Sequence, residues 1–169
     1  MKLLIPIILL FCTLFNPILS GQANQKNRVI ILTDIEADPD DTQSLVRLLL
    51  YSNEIDIKGI IATTSCWHKN RVNPESIEKV INAYDKVQPN LNKHENGFPD
   101  GDELLKLVKQ GLPVYGMLGV GEGKDSQGSD WIIKILEEDD DRSLWISTWG
   151  GVNTLAQALY KIKNSKTEK

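Results

Sequence analysis

The sequence predicts an α/β protein with a Rossmann-like parallel sheet and flanking helices. Two observations carry this prediction. Four short apolar runs, typical of buried strands, alternate with longer segments of helical periodicity. Helical crossovers between successive strands favour right-handed βαβ units and therefore a parallel sheet. The domain is expected to span residues 28–163, which suffices for one modest core.

The first strand is predicted at residues 29–32, an apolar run of the kind that is buried on both faces. A helical pattern rich in leucine follows at residues 45–50. Between them, five carboxylates lie within eight residues: Asp34, Glu36, Asp38, Asp40 and Asp41. Parallel sheets bind their ligands at the carboxyl ends of the strands, which is where this acidic cluster falls.

Two explanations of the acidic cluster stand side by side. Helix capping accounts for part of it, since Asp38 suits the N-cap and Pro39 the first helical position. Asp40 and Asp41 would then favour the positive end of the helix dipole. The other explanation is a hard-metal site, because crowded carboxylates raise one another's pKa or require a cation. Oxygen ligands alone suit Ca²⁺ or Mg²⁺, whereas zinc prefers His or Cys.

The remaining elements follow in order. Three further strands are predicted from apolar runs, at residues 56–64, 114–118 and 143–148. Four further helices are predicted from periodicity and from start signals such as Asn73-Pro74, at residues 73–87, 103–109, 131–138 and 152–162. Residues 88–102 are predicted to form a polar connection, and residues 164–169 a polar tail.

Aromatic and glycine residues at the strand ends are candidates for ligand binding. Trp67 and His68 follow the second strand and Trp149 follows the fourth, so they are expected near the acidic cluster. An indole face suits stacking, although each tryptophan also fits ordinary packing, and His68 also fits a solvated loop. Gly150 and Gly151 permit a close backbone approach, while a tight turn alone needs one of them. The glycine-rich loop GVGEGKDSQGSD lacks a P-loop ending and is either a mobile cover or a plain connection.

Residues 1–23 predict a secretory signal peptide, with Lys2, an apolar core and a small-x-small cleavage site. The protein is therefore expected to be secreted or periplasmic, with no membrane attachment after cleavage. Removal of Lys2 makes the formal charge of −4 one unit more negative. An acidic chain without a basic patch is a poor nucleic-acid binder. Cys66 remains as the only cysteine, and it is expected to be a small buried hydrophobe at a strand end.

The segment TDIEADPDDTQSLVRLLL resembles the metal-binding motif of nucleoside hydrolases, in which a strand runs into Asp-x-Asp-Pro-Gly-x-Asp-Asp. Aligned on Asp40 and Asp41, the first Asp of the motif falls on Asp34 and the second on Glu36. Glu replaces Asp there and the Pro-Gly pair is absent, while Asp38 and the following proline imitate the motif two residues out of register. The longer stretch through IDIKGIIATTSCW, with WGGVNTLAQAL, is closer to the nucleoside-hydrolase-like domain of the cellulose-binding protein family.

The resemblance implies a site for Ca²⁺ or another hard divalent cation, with ligands from Asp34, Glu36, Asp41 and the backbone carbonyl of Asn153. It implies catalytic roles for Glu36 as a base and for Asp40 as a partner of sugar hydroxyls. It also implies a substrate pocket lined by Asp40, Trp67, His68 and Trp149.

The function implied is a metal-dependent glycosyl hydrolase that cleaves an N-ribosyl or related glycosidic bond through metal-activated water. The alternative is a non-catalytic carbohydrate-binding module, as the family's name implies, although the tryptophans show no regular stripe along the sequence. The partner is accordingly a small glycoside or nucleoside, or a polysaccharide. The match covers the front half of a nucleoside-hydrolase domain, so the domain is expected to be truncated and a poor catalyst alone. Its last sheet edge is expected to be open to homo-oligomerisation.

Overall fold

The structure, a computed structural model, describes residues 25–167, so the predicted signal peptide lies outside the described part. The strands within this range are β1 (Asn27–Thr33), β2 (Ile55–Ala62), β3 (Val108–Gln110) and β4 (Leu144–Thr148). The helices are α1 (Asp40–Leu49), α2 (Pro74–Asp85), α3 (Gln88–His94), α4 (Gly101–Leu105), α5 (Gln127–Leu136) and α6 (Asn153–Thr167). One turn of 3₁₀ helix covers Gly116–Gly119. None of the helices between residues 25 and 167 is both long enough and apolar enough to cross a membrane.

The four strands form one parallel sheet in the order β3-β2-β1-β4, as the alternation of strands and helices predicts. β1 lies between two neighbours, with Arg28 opposite Asp56 of β2 and Leu144 of β4. Helices also pack on both faces of this central strand. Because both faces are covered, β1 has a continuous apolar run. All strands point the same way, so their carboxyl ends meet at one edge.

The core consists of two apolar layers, one on each face of the sheet. Alternate residues of β1 divide between them: Ile31 packs with α1, α2 and α4, whereas Ile30 and Leu32 pack with α5 and α6. These three side chains are fully buried. The result is a helix–sheet–helix sandwich that holds the strand ends rigidly in place.

The third strand lies elsewhere than the sequence predicts. β3 is Val108–Gln110, which overlaps the end of the predicted helix at residues 103–109, and it pairs with residues 60–62 of β2. The predicted strand at residues 114–118 is instead an extended turn that leads into the 3₁₀ helix, where Met117 and Leu118 are largely exposed. Three residues are too few to show a strand period, so tertiary pairing alone selects β3.

Two helices also differ from the prediction: one was not predicted, and the other is longer than predicted. α3 lies within residues 88–102, which the sequence predicts to be a polar connection, and none of its residues is buried. Its proline falls in the first turn, where the missing N–H is tolerated. α6 continues past residue 162 into the predicted polar tail.

Helix starts differ in detail from the capping prediction. Pro39 is the N-cap residue of α1 and Asp40 is the first helical residue, so Asp38 is not the N-cap. Asn73 is the N-cap residue of α2 as predicted, but its side-chain amide donates to the carbonyl of Ile35 at 3.1 Å instead of capping. Asp38 therefore has no capping role in α1.

A cluster of buried and partly buried charged side chains links elements at the amino end of the sheet. Arg28 is 3% exposed, and its guanidinium donates to the Ile135 carbonyl at 2.8 Å and to Glu138 at 3.0 Å. Arg142 pairs with Asp56 of β2 at 2.8 Å. This cluster joins α5 and the segment before β4 to β1 and β2, far from the carboxyl edge.

Candidate functional site

A polar pocket of about 320 Å³ lies at the carboxyl edge of the sheet, between the ends of β1, β2 and β4. We call it the acidic pocket. It is lined by Asp34, Asp38, Asp40, Asp41, Ser65, Cys66, Trp67, Tyr115, Trp149, Gly150 and Gly151. A larger cavity of about 480 Å³ lies beside the amino ends of β2 and β3. The carboxyl edge is where open parallel sheets bind ligands, so the acidic pocket is the better candidate.

The floor of the pocket depends on a very close approach of backbone segments. The N–H of Trp149 donates to the Leu32 carbonyl and that of Gly151 to the Thr64 carbonyl, both at 2.8 Å. A Cβ on Gly150 would lie 2.8 Å from the backbone nitrogen of Asp34, and one on Gly151 would lie 2.3 Å from the Thr64 oxygen. Both glycines are therefore required, which agrees with the predicted close backbone approach, although the approach is to the protein's own backbone.

Asp41 is the most perturbed carboxyl group of the pocket. It is 7% exposed, and the Thr33 hydroxyl donates a short hydrogen bond to its Oδ2. Burial, as the largest cause, raises the pKa of Asp41 to about 6, and the charges of Asp34 and Asp40 add to this. The Thr33 hydrogen bond opposes the shift because it stabilises the ionised form.

The two outer carboxylates behave as a pair. A hydrogen bond between their side chains raises the pKa of Asp38 and lowers the pKa of Asp40. Asp40 also accepts from the backbone N–H of Asp41 at 2.9 Å. Both are exposed at the mouth of the pocket, so they can exchange a proton with a bound ligand or with water.

The aromatic side of the pocket comes from the loops after β2 and β4. Ser65 holds the first loop, since its hydroxyl accepts from the backbone N–H of Trp67 at 3.1 Å and of His68 at 3.2 Å. Trp67, after β2, is 75% exposed. Trp149, after β4, is partly buried. The pocket thus combines carboxylates with aromatic faces, as a sugar-binding site does.

Three residues proposed from the sequence lie outside the acidic pocket. Glu36 has a left-handed backbone, with φ of 69°, and its exposed side chain accepts from the Thr42 hydroxyl at 3.4 Å. His68 contacts Arg71. The Asn153 side chain is buried, accepting from Thr64 at 3.0 Å and donating to the Val114 carbonyl at 3.1 Å. None of the three lines the pocket, whereas Asp34, Asp40, Asp41, Trp67 and Trp149 all do.

Sequence reasoning missed other lining residues. The sequence pattern assigns Asp38 to helix capping, yet Asp38 lines the pocket, whereas Glu36 does not. Cys66 is exposed and lines the pocket, which contradicts the expected burial. Tyr115 comes from the segment predicted as the third strand, so the wrong strand assignment hid it. Ser65 lies three residues after the end of β2, and its position close to a strand end is the available signal.

The pocket offers an incomplete set of metal ligands. Between residues 25 and 167, no group of three or more His, Cys, Asp or Glu side chains is placed to hold a metal ion. Asp34 and Asp41 form a close pair, both nearly buried, and such a pair favours a shared proton or a cation. This chemistry fits a hard divalent cation that takes its other oxygen ligands from water or substrate.

Comparison with known proteins places this geometry in a family. Residues 28–169 match the family described as "Cellulose-binding Sde182, nucleoside hydrolase-like domain". The chain belongs to this family. The match covers all four strands except Asn27, the first residue of β1, and it covers every residue of the acidic pocket. The nucleoside-hydrolase-like fold predicted from the sequence is therefore confirmed.

A solved structure of similar fold supports this membership in the Sde182 nucleoside hydrolase-like family. It is a nucleoside hydrolase-related hypothetical protein from Saccharophagus degradans that is associated with carbohydrate metabolism. The two chains are 48% identical, with a TM-score of 0.81 over 83% of this chain. This chain spans only 34% of that protein's length. No curated protein matches the chain.

Proposed function

We propose that the acidic pocket is the site of a glycosyl hydrolase of nucleoside-hydrolase type, which cleaves an N-ribosyl or related glycosidic bond. The observation that carries this proposal is the burial of Asp41 beside Asp34, with its pKa raised to about 6. Such a pair lowers the stability of the ionised protein, and perturbed carboxyl groups in a cleft are typical of functional sites.

Recognition of the sugar follows from the two kinds of lining residue. Asp38 and Asp40 stand exposed at the mouth and accept hydrogen bonds from sugar hydroxyls. Trp67 and Trp149 offer indole faces for the apolar C–H face of a ring. The carboxylates thus favour a ligand with many hydroxyl groups, and the indoles orient its ring by stacking on it.

A hard divalent cation such as Ca²⁺ is part of the proposal, with Asp34 and Asp41 as the residues that would hold it. When bound, such a cation lowers the pKa of a coordinated water. The close carboxylate pair supports this assignment, while Glu36 and Asn153 lie outside the pocket and are not included.

The chain's own residues can handle the protons of hydrolysis. The oxygen of a water forms a bond to the anomeric carbon, while the bond from that carbon to the leaving nitrogen or oxygen breaks. The Asp38–Asp40 pair has open access to the pocket and takes the proton that the water loses. The leaving group departs with the bonding electron pair and acquires a proton from solvent.

A second candidate function is a non-catalytic carbohydrate-binding module. The 75% exposure of Trp67 favours it, because an aromatic face open to solvent suits a flat ligand. The cellulose-binding description of the family favours it as well. In either case the setting we propose is outside the cytoplasm, on the strength of the signal-like residues 1–23.

Hydrolysis of p-nitrophenyl riboside and of a nucleoside panel, with Ca²⁺ or with EDTA, tests the proposal. We expect slow release of p-nitrophenol that requires Ca²⁺ and is lost in Asp41→Asn. Glu36→Gln is the matched control, since its carboxylate lies outside the pocket, and it should keep the wild-type rate. Sugar binding without release in any condition would favour the binding module instead.

A further inference from the structure

The side chain of Asn153, the first residue of α6, joins two segments that are distant from it in the chain. It is 3% exposed. Its Oδ1 accepts from the hydroxyl of Thr64 at 3.0 Å, and its Nδ2 donates to the carbonyl of Val114 at 3.1 Å. Because a carbonyl can only accept, the amide nitrogen must face Val114. Asn153 therefore links the start of α6 to the chain after β2 and to the segment after β3.

The contact with Val114 fixes the peptide unit that carries Tyr115, a residue of the acidic pocket. The carbonyl of this unit belongs to Val114 and its N–H to Tyr115. Asn153 binds the carbonyl, while the N–H donates to the carbonyl of Lys69, in the loop after β2, at 3.0 Å. Both polar groups of the unit are thus bound, so it cannot turn without breaking a hydrogen bond. The direction of the backbone at Tyr115 is set by these two contacts.

Two glycines provide the space that the Asn153 amide occupies. A Cβ on Gly151 would lie 3.1 Å from Oδ1. A Cβ on Gly119 would lie 3.4 Å from Nδ2 and would overlap the carbonyl oxygen of Val114. A larger residue at either position would push the amide away from its partners. The contact is therefore part of the packing between α6 and the 3₁₀ helix.

Tyr115 brings a hydrogen-bond donor to a pocket rich in acceptors. Four carboxyl groups line the acidic pocket, and an ionised carboxylate can only accept. Carboxylates can bind the hydroxyl groups of a sugar, but they cannot bind its ring oxygen, which has lone pairs alone. The phenol of Tyr115 can donate to such an atom. A donor held in a fixed position would therefore complement the carboxylates in sugar recognition.

We propose that Tyr115 donates a hydrogen bond to the sugar in the acidic pocket, and that Asn153 is the positioning residue that holds Tyr115 there. This inference rests on the proposed function in taking the ligand to be a sugar. Asn153 does not line the pocket, and it acts through the peptide unit between Val114 and Tyr115.

The competing explanation is that Asn153 only stabilises the fold. Thr154, the next residue of α6, offers a matched control: it is 1% exposed, and its hydroxyl lies 3.4 Å from that of Thr63. Thr154→Val removes this buried contact and leaves the contacts of the Val114–Tyr115 peptide unit in place. Asn153→Asp keeps the acceptor for Thr64 and removes the amide donor to Val114. Asn153→Ala removes both and serves as the second variant.

Hydrogen exchange tests the positioning step without any ligand. In Asn153→Asp and Asn153→Ala, the amide of Tyr115 should exchange on the order of fivefold faster relative to the amides of β1, because its peptide unit has lost one of two restraints. The comparison with β1 removes the effect of global stability. Thr154→Val should leave this ratio unchanged.

Ribose binding, measured by calorimetry with Ca²⁺ present, tests the role of Tyr115. Tyr115→Phe keeps the ring and removes the hydroxyl, so the affinity should fall about three- to tenfold. Asn153→Asp should weaken binding by a similar factor. The double variant should bind no more weakly than Tyr115→Phe, since both changes remove the same hydrogen bond. Thr154→Val should bind like the wild type.

An unchanged exchange ratio at Tyr115 in both Asn153 variants would overturn the positioning role. So would a loss of ribose affinity in Asn153→Asp that persists in full when Tyr115 is already phenylalanine. Tyr115-dependent ribose binding in a protein that never releases p-nitrophenol would support the inference and contradict the hydrolase. Release of p-nitrophenol with unchanged KM and ribose affinity in Tyr115→Phe would contradict the inference alone.

Discussion

The hydroxyl of Thr33, the last residue of β1, donates a hydrogen bond to the carboxylate of Asp41 in the first turn of α1. Thr33 is fully buried, and its oxygen also accepts from the backbone N–H of Ile35 at 3.1 Å. The strand end thus fixes the position of a carboxylate that its surroundings tend to neutralise. Burial thus favours the neutral form of Asp41, while the hydrogen bond from Thr33 favours the ionised form.

Asp41→Asn should stabilise the protein at pH 8 when EDTA is present. The pKa of Asp41 in the native state, about 6, exceeds the unfolded value of 3.8, so the native state holds its proton more tightly. The stability from the neutral form is complete below pH 4 and is lost as the pH rises through 6. Asparagine stays neutral and can still accept from Thr33, so it should recover on the order of 2–3 kcal/mol. Urea unfolding at pH 4 and pH 8 measures this.

The matched control is Asp102→Asn, an exposed carboxylate in the first turn of α4. It should keep the wild-type decrease in stability between pH 4 and pH 8, whereas Asp41→Asn should lose most of it. An unchanged decrease in Asp41→Asn would show that Asp41 is not the group responsible.

The ranking of pocket residues in calcium binding is the second prediction. Asp34→Asn and Asp41→Asn should abolish the rise in melting temperature that Ca²⁺ gives over EDTA, since a ligand of the native state must stabilise it. Asp38→Asn should reduce this rise, and Glu36→Gln should leave it unchanged, because only Asp38 lines the pocket. The sequence alignment with the hydrolase motif favours the opposite order of Glu36 and Asp38. A loss with Glu36→Gln would therefore restore that alignment.

Gly150→Ala should damage the pocket. Its Cβ would lie 2.8 Å from the backbone nitrogen of Asp34, so the turn after β4 must move away from β1. We expect a loss of about 1–3 kcal/mol in unfolding free energy, as for other overpacked sites, together with weaker ligand binding. Gly123→Ala is the control: its Cβ meets nothing within 4 Å, so it should show only the penalty of a left-handed backbone. Wild-type binding by Gly150→Ala would mean that the turn is more tolerant than its packing indicates.

Arg28→Leu should affect stability and not binding. The buried guanidinium pairs with Glu138 and donates to the Ile135 carbonyl, so its removal takes a charged hydrogen-bond donor from both, although Lys58 still pairs with Glu138 at 3.2 Å. The expected loss is about 1.5–3 kcal/mol in urea unfolding. Arg47→Leu, on the exposed face of α1, should change stability little. Because Arg28 lies at the amino edge, folded Arg28→Leu should keep the wild-type rise in melting temperature that Ca²⁺ gives over EDTA.

Much of the fold could be predicted because three of its strands have a recognisable sequence pattern. β1, β2 and β4 are each five residues long or more and contain an apolar run, and the helices between them have clear starts or periodicity. β3 could not be found, since its three residues form a strand only by pairing with residues 60–62 of β2. The layer order follows from alternation along β1 once the helices are known.

The site could be predicted in part, for a similar reason. Asp34, Trp67 and Trp149 follow strand ends, and parallel strands bring such ends together whatever the details of the loops. Asp38 lines the pocket and Glu36 does not, and Glu36 has a positive φ, a backbone conformation that no spacing pattern reveals.

The sheet order has a consequence for synthesis on the ribosome. β1 is made first, yet its partner at Leu144 emerges more than a hundred residues after Arg28. At ordinary translation speed that interval is on the order of ten seconds. Throughout it, one edge of the most apolar strand has no neighbour, although β2 can already pair on the other side. The nascent chain therefore passes through a stage that invites chaperone capture, which lasts until β4 pairs with β1.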